Sequence, residues 1–247
     1  MQIIPLSEGA FTIDKTKEFV PFDLENHNLQ ERPVGSLLVE IQPFLLITSK
    51  DVLVLDTGLG FLETDGNLQL HKNLSKHGIS ASDVTKVLMT HLHKDHAGAM
   101  TLHANKEHRA TPAFENAQYY INKDEFAFAF EKGYPSYHTR DFELFKNNDQ
   151  VQFTEGNGVI DDYIKYEVTG AHSPWHQVFW IIEDGRKVFF GGDVAPQLQQ
   201  MKSRFVAKYD FDGKKSMELR QHWWKQGESE KWTFLFYHDT RNPVIEF

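Results

Sequence analysis

Thr90-His91-Leu92-His93-Lys94-Asp95-His96 brings three histidines and an aspartate together within six residues, directly after the apolar run Val84-Thr85-Lys86-Val87-Leu88-Met89. The run reads as a buried strand. Side chains of an extended chain alternate with a period of two, so His91 and His93 fall on one side and both imidazoles can bind one ion. Asp95 and His96 follow the turn and reach a second ion beside it. Neutral imidazole nitrogens suit zinc at about 2.0–2.1 Å, and a carboxylate offsets part of the cationic charge. A lone surface histidine would carry no such reading; four ligand-type residues behind a buried strand do.

Outward from this motif, residues 36–47 are apolar-rich and extended, and Val52–Leu55 follows as an adjacent buried strand. Residues 68–77 have helical spacing with Gly78 as the stop signal. A helix is expected over 98–104, after the histidine turn, and another over 123–131. The latter carries Phe126, Phe128 and Phe130, whose i, i+2 spacing cannot place all three on one helix face, so at least one is expected to face a cleft or a partner. Residues 133–137 read as a loop. Beyond them, 163–169, Gln177–Glu183, 187–190 and 233–237 read as strands and 218–225 as a helix. Two strand-rich halves without a Gly/Ser/Pro linker fit one α/β domain spanning 1–247.

The chain has 247 residues, 26 basic and 35 acidic, for a net charge of −9. That balance argues against a broad surface for nucleic acid or anionic lipid. Cysteine is absent, which excludes disulfides, thiolate metal sites and a cysteine nucleophile. The first residues show neither a basic segment nor an apolar one of signal-peptide type, and no run approaches the ~20 apolar residues of a membrane span. A cytoplasmic location, a small-molecule substrate, and no nucleic-acid or membrane partner are expected; a homodimer is compatible with the sequence.

His-x-His-x-Asp-His resembles the signature of the metallo-β-lactamase superfamily. Further segments resemble that family in the same order: Val54-Leu55-Asp56-Thr57-Gly58, Gly170-Ala171-His172-Ser173-Pro174-Trp175-His176, Phe190-Gly191-Gly192-Asp193 and Phe236-Tyr237-His238-Asp239. The resemblance implies an αββα sandwich, two facing mixed sheets with helices on the outside. It also implies seven ligands to two Zn²⁺ ions, with Fe, Mn or Co as alternatives. His91, His93 and His172 would hold one ion, Asp95, His96 and His238 the other, and Asp193 would bridge them. Asp56 and His176 become candidates to hold ligand imidazoles through hydrogen bonds. His103, His108, His138 and His222 receive no metal role.

The implied chemistry is hydrolysis by a metal-bridging hydroxide, with Asp95 as catalytic proton carrier. Lack of cysteine disfavours the β-lactamases that use a cysteine ligand, and His93 disfavours the flavodiiron oxygen reductases, which place a glutamate there. RNA-processing members would need a basic segment. Gly9-Ala10-Phe11-Thr12-Ile13-Asp14, His238 and the Phe-rich stretch 126–145 look most like the N-acyl-homoserine lactonase and organophosphate hydrolase branch. A glyoxalase II-like thioesterase, a phosphotriesterase and a catalytically silent metal-binding module are the alternatives. Phe126, Phe128, Tyr134 and Tyr137 are the expected substrate pocket. Some lactonases have a tyrosine shortly after the bridging aspartate; Val194-Ala195-Pro196-Gln197 has none, and Tyr134, Tyr137 or Tyr209 could stand in.

Overall fold

Phe44, Leu46, Leu53 and Leu55 pack into one apolar cluster, while Leu45 and Val54, on the same two strands, pack into another. This is the two-residue alternation of extended chain, and it means that the strands are buried on both faces. In the computed structural model, which describes residues 1–103 and 110–247, they belong to the first of two six-stranded sheets.

In chain order the N-terminal half contains β1 (Gln2–Pro5), β2 (Gly9–Ile13), β3 (Val20–Pro21), β4 (Leu37–Ile41), β5 (Phe44–Ile47), β6 (Val52–Leu55), α1 (Gln69–Ser75), β7 (Lys86–Leu88), α2 (Lys94–Ala97), β8 (Thr101–Leu102), β9 (Thr111–Pro112), β10 (Gln118–Asn122), α3 (Lys123–Lys132) and β11 (Val151–Thr154). The C-terminal half contains β12 (Gly158–Ile160), β13 (Ile164–Val168), β14 (Gln177–Glu183), β15 (Arg186–Phe190), α4 (Leu198–Met201), α5 (Gly213–Glu230), β16 (Thr233–Leu235) and β17 (Val244–Glu246). The first sheet runs β1-β5-β6-β7-β10-β11 and the second β12-β13-β14-β15-β16-β17; β3-β2-β4 form a smaller third sheet. Both large sheets are mixed, with parallel pairs β6/β7, β7/β10, β10/β11 and β15/β16 among antiparallel ones.

The inner faces of the large sheets meet in a shared core, where Phe44, Leu53 and Leu55 join Phe179, Ile181 and Phe190. On the outer face of the first sheet, Leu70 and Leu74 of α1 and Phe126 of α3 cover Val54 and Val87. On the outer face of the second, Trp223 of α5 covers Trp180 and Phe189, its ring 4.8 Å from that of Phe189. Each fully buried side chain of this size contributes about 1.5–3 kcal/mol. The layers are therefore α, β, β, α, the sandwich that the sequence resemblance implies. Among the described residues, no helix is long and apolar enough to cross a membrane.

Two expectations change. Residues 36–47 form two strands, because Pro43 has no N–H to continue a ladder; β4 pairs with β2, and β5 with β1 and β6. The helix expected over 98–104 does not form. Instead α2 lies within the histidine motif, and Gly98 packs against the backbone of the 58–59 loop, its N–H donating to Gly58 O at 2.8 Å. Thr101–Leu102 then pair with Thr111–Pro112 as strands. Ala104, and likewise His108, lie outside the described residues.

Candidate metal centre

The segments after β6, β7, β15 and β16 all deliver polar residues to one end of the sandwich. These strands are parallel within each sheet, so their C-terminal ends lie together, the usual place for function in such sheets. Asp56 follows β6 with a left-handed φ of 52°, a conformation an aspartate tolerates better than most residues. Its Oδ1 accepts from Thr90 N at 2.7 Å, and its Oδ2 from Thr90 Oγ1 at 2.7 Å. The turn after β7 is thereby tied to the turn after β6. His93 caps the N-terminus of α2, and Asp95 and His96 lie in its first turn.

Five imidazoles and two carboxylates converge here. His91 Nε2 lies 2.9 Å from His93 Nδ1, which lies 3.1 Å from His172 Nε2. Asp193 Oδ2 lies 3.2 Å from His172 Nε2 and 4.0 Å from His91 Nε2. Its other oxygen, Oδ1, lies 2.9 Å from His238 Nε2 and 3.1 Å from His96 Nε2. Asp95 Oδ2 is 3.6 Å from each of those two nitrogens. Two donor groups result: His91, His93, His172 and Asp193, and Asp95, His96 and His238. His96 Nε2 and Asp193 Oδ1 have no hydrogen-bond partner despite their proximity and burial. Buried polar atoms left unpaired in this way call for a partner such as an ion. The clusters fit a dinuclear metal site.

The outer nitrogens of these rings are held from behind. His96 Nδ1 lies 2.8 Å from Asp56 Oδ2, His172 Nδ1 2.8 Å from Asp210 Oδ1, and His238 Nδ1 2.7 Å from the backbone oxygen of Glu40. His91 Nδ1 lies 3.0 Å from Thr90 Oγ1. Each contact turns the remaining nitrogen inward. Asp56 thus holds a ligand-type imidazole as expected. His176 does not: its Nε2 accepts from the backbone N of Asp193 at 3.2 Å, and its ring lies 4.9 Å from that of His91. Its position supports the Asp193 turn instead.

Burial, reinforced by neighbouring imidazoles, pushes His91 and His93 well below the usual histidine range, which keeps them neutral with lone pairs available. Burial opposes charge on Asp193 too, yet the facing His238, His96 and His172 hold its carboxyl well below the ordinary value. His96 is displaced upward because Asp193 and Asp95 overcome the effect of burial.

Asp210 and the Glu40 carbonyl carry no local signal in the sequence. Nor does Glu125, buried on α3. Its Oε1 accepts from Leu92 N at 3.2 Å and from Tyr137 Oη at 3.2 Å, and its Oε2 from Ser173 Oγ at 2.7 Å. One carboxylate therefore joins the loop carrying His91 and His93 to the loop carrying His172.

A cavity of about 440 Å³ opens over His93, Asp95, His172, Asp193 and His238. Its apolar wall is Ile13, Phe19, Leu37, Leu38 and Val39, and Tyr209 and Gln200 stand among its polar residues. Desolvation pushes the Tyr209 phenol up to about 12, so it stays protonated near neutrality. Phe126, Phe128, Tyr134 and Tyr137 do not line this cavity. Phe126 is 7% exposed in the core and packs edge-on against Phe130. Phe128 packs edge-on against Tyr137, itself 3% exposed, and Tyr134 points to solvent at 75%. Helix α3 turns its aromatics toward the first sheet and neighbouring loop rings, and only Pro135 and Ser136 of the following loop reach the cavity. His103 and His138 lie near Asp141, away from the cluster.

Residues 39–224 match the family described as the metallo-beta-lactamase superfamily. Among curated proteins there is no sequence match. In structure the chain is similar to a probable metal-dependent hydrolase from Staphylococcus aureus, with 22% identity and a TM-score of 0.76 over 99% of this chain and 91% of that one. It is also similar to AidC, a dizinc quorum-quenching lactonase, at 20% identity and a TM-score of 0.72 over 98% and 88% of the two chains. A third similar structure is the hydrolase AbOPH of the beta lactamase superfamily, at 20% identity and 0.75 over 99% and 89%.

Proposed function

The chain belongs to the metallo-beta-lactamase superfamily, and we propose that residues 1–247 form one catalytic unit, a dinuclear metal-dependent hydrolase that opens an ester or lactone of the N-acyl-homoserine lactone type. The observation that carries this reading is Asp193, whose two oxygens face different donor groups, Oδ2 toward His172 and Oδ1 toward His96 and His238. His91, His93 and His172 would hold one ion and Asp95, His96 and His238 the other, with Asp193 facing both groups. Two Zn²⁺ ions, or Fe, Mn or Co held by the same residues, would supply Lewis-acid chemistry there, making a water nucleophilic near neutrality and an acyl carbonyl electrophilic.

The chain's own groups do the rest. Water adds to the carbonyl carbon, the C–O bond to the alcohol portion breaks, and the departing alkoxide must gain a proton. Asp95, at the cavity floor beside His96 and His238, carries that proton from the attacking water to the alkoxide. Tyr209 supplies a neutral O–H donor from the cavity wall. Leu37, Leu38 and Phe19 take the acyl chain.

The likeness to a dizinc lactonase adds support at the level of fold. The test is a hydrolysis panel of lactones, thioesters, phosphotriesters and cephalosporins, run on the purified protein before and after chelation and zinc return, with elemental analysis alongside. Zinc-restored lactone opening with close to two ions per chain is the expected result. Thioester turnover without lactone turnover moves the assignment to a glyoxalase II-like enzyme, and phosphotriester turnover alone to an organophosphate hydrolase. Full metal content with no turnover leaves a silent metal-binding module, and fewer than one tightly bound ion after reconstitution overturns the dinuclear site.

A further inference from the structure

Although the chain carries a net charge of −9, four lysines line the cavity above the metal centre: Lys15, Lys17, Lys94 and Lys208. Elsewhere on the surface Lys72, Lys123, Lys165 and Lys187 each lie within 4.0 Å of a carboxylate. Among the described residues none of the four cavity lysines does. Two of them are braced by neutral acceptors: Lys17 Nζ donates to Ser136 Oγ at 2.5 Å, and Lys94 Nζ to the backbone oxygen of Lys17. The Lys94 ammonium also stands 5.6 Å above the Phe19 ring. These contacts fix position without neutralising charge.

Three carboxylates, Asp14, Asp95 and Asp193, line the cavity beside these four ammonium groups, and Asp14 interacts with Lys15. Asp14 accepts from Thr16 N at 2.8 Å and from Thr16 Oγ1 at 2.6 Å, and Asp95 and Asp193 belong to the metal centre. Asp95 and, less strongly, Glu18 act on Lys94 at longer range, which leaves Lys17 and Lys208 as the cavity lysines set apart from these acids. Like charges gathered around a concave site focus a positive potential there and repel one another until an anion enters. An ammonium is a point charge with no planar fork, so it selects an anionic oxygen without specifying the group that bears it.

We propose that this cavity selects esters or lactones carrying an anionic group, carboxylate or phosphate, remote from the bond that is hydrolysed, with Lys17 and Lys208 as specificity-determining residues. The proposal rests on the hydrolase reading above and narrows it: the apolar wall accommodates a short acyl chain, and the lysines receive its charged end.

The test compares p-nitrophenyl hexanoate with mono-p-nitrophenyl adipate and with p-nitrophenyl 6-phosphooxyhexanoate on the metal-loaded enzyme. At low ionic strength kcat/KM for the anionic esters is expected to exceed that for the neutral one by about tenfold, falling toward parity near 0.5 M salt as screening shortens to about 4 Å. In the double variant Lys17→Gln/Lys208→Gln the ratio falls toward one, and in Lys165→Gln, on β13, it does not change. A larger gain for the phosphate assigns a phosphorylated substrate, and an equal or larger gain for the adipate a carboxylate. A ratio of one at low salt, or a ratio that survives in the double variant, overturns the proposal. Calorimetry with adipamate and hexanamide gives a readout independent of turnover. If no ester or lactone is hydrolysed, the hydrolase reading fails, and the anion site then stands on tighter adipamate binding that is lost in the double variant, or falls with equal binding of the two amides.

Discussion

Asp210 Oδ1 lies 2.8 Å from His172 Nδ1, across 38 positions of sequence, and the contact leaves His172 Nε2 facing Asp193 Oδ2 at 3.2 Å. A carboxylate behind an imidazole fixes its tautomer and ring orientation and raises its basicity. Burial disfavours the charged form of His172, yet Asp193 and Asp210 together move its pKa upward. The ring is therefore set by a residue outside both donor groups.

Removing that support is expected to weaken metal binding without removing a ligand. Asp210→Ala should lower affinity for one of the two ions by about 10- to 100-fold, the usual effect of losing such a partner, and lower kcat/KM in parallel at limiting zinc. Excess zinc should restore most of the rate. Competition with a chromophoric chelator measures the affinity, and an unchanged affinity would show that Asp210 only packs.

Asp193 is the residue whose loss should divide the centre. Asp193→Ala removes the two oxygens that face the two donor groups, so the protein is expected to retain one ion in place of two and to lose nearly all turnover. Far-ultraviolet circular dichroism should stay close to that of the parent. Asp162→Ala, on the exposed turn before β13, should do neither. Elemental analysis decides, and two ions with a normal rate in Asp193→Ala would show that the bridge lies elsewhere.

The centre was legible in the sequence because its first four groups fall within six residues and follow a buried strand. The other groups that converge there, His172, Asp193 and His238, came with the family resemblance. What stayed hidden are groups whose partners are distant in sequence: Asp210 against His172, Glu125 against Leu92 and Ser173, and the Glu40 backbone against His238. No local periodicity encodes such pairs. The α3 aromatics misled for a related reason. Phe126, Phe128 and Phe130 do spread around the helix, but Phe142 and Tyr137 meet them from the following loop and close them off. The cavity wall comes instead from β2, β4 and the segment between them, and its role depends on the small third sheet that only tertiary structure reveals.

Glu8 sets a pH dependence of stability. Its Oε2 accepts from Leu59 N at 2.6 Å, its Oε1 is buried without a partner, and its carboxyl fills the space where a Cβ at Gly58 would lie. Burial pushes its pKa from 4.5 to about 8, against the Leu59 hydrogen bond and with a further push from Asp95. The folded protein therefore holds a proton that the unfolded chain has released between pH 4.5 and about 8. Stability falls as pH rises through that window and is unaffected by this group outside it. Glu8→Gln removes the titration and keeps an oxygen for Leu59 N. Its advantage over the parent should be small at pH 4.5 and reach on the order of 5 kcal/mol by pH 9. Denaturant melts at the two pH values measure it, and parallel pH profiles for the two proteins would sink the assignment.

The cavity wall makes a prediction about chain length. Leu37 and Leu38 present apolar surface to the cavity, and each buried CH₂ is worth about 0.8 kcal/mol, so kcat/KM on acyl-homoserine lactones should rise by up to about fourfold per CH₂ until the wall is covered. Leu38→Ala removes part of that surface. The slope of log kcat/KM against acyl length should flatten, mainly through KM, because the lost contact is made equally in ground and transition states. Phe126→Ala tests the alternative placement of the aromatic wall. Phe126 sits in the core between α3 and the first sheet, so its truncation should cost about 3–5 kcal/mol of stability and leave the chain-length slope as it was. Steady-state kinetics across butanoyl to decanoyl lactones, with thermal melts of the same samples, separate the two. A slope flattened by Phe126→Ala and untouched by Leu38→Ala would return the acyl chain to the α3 side.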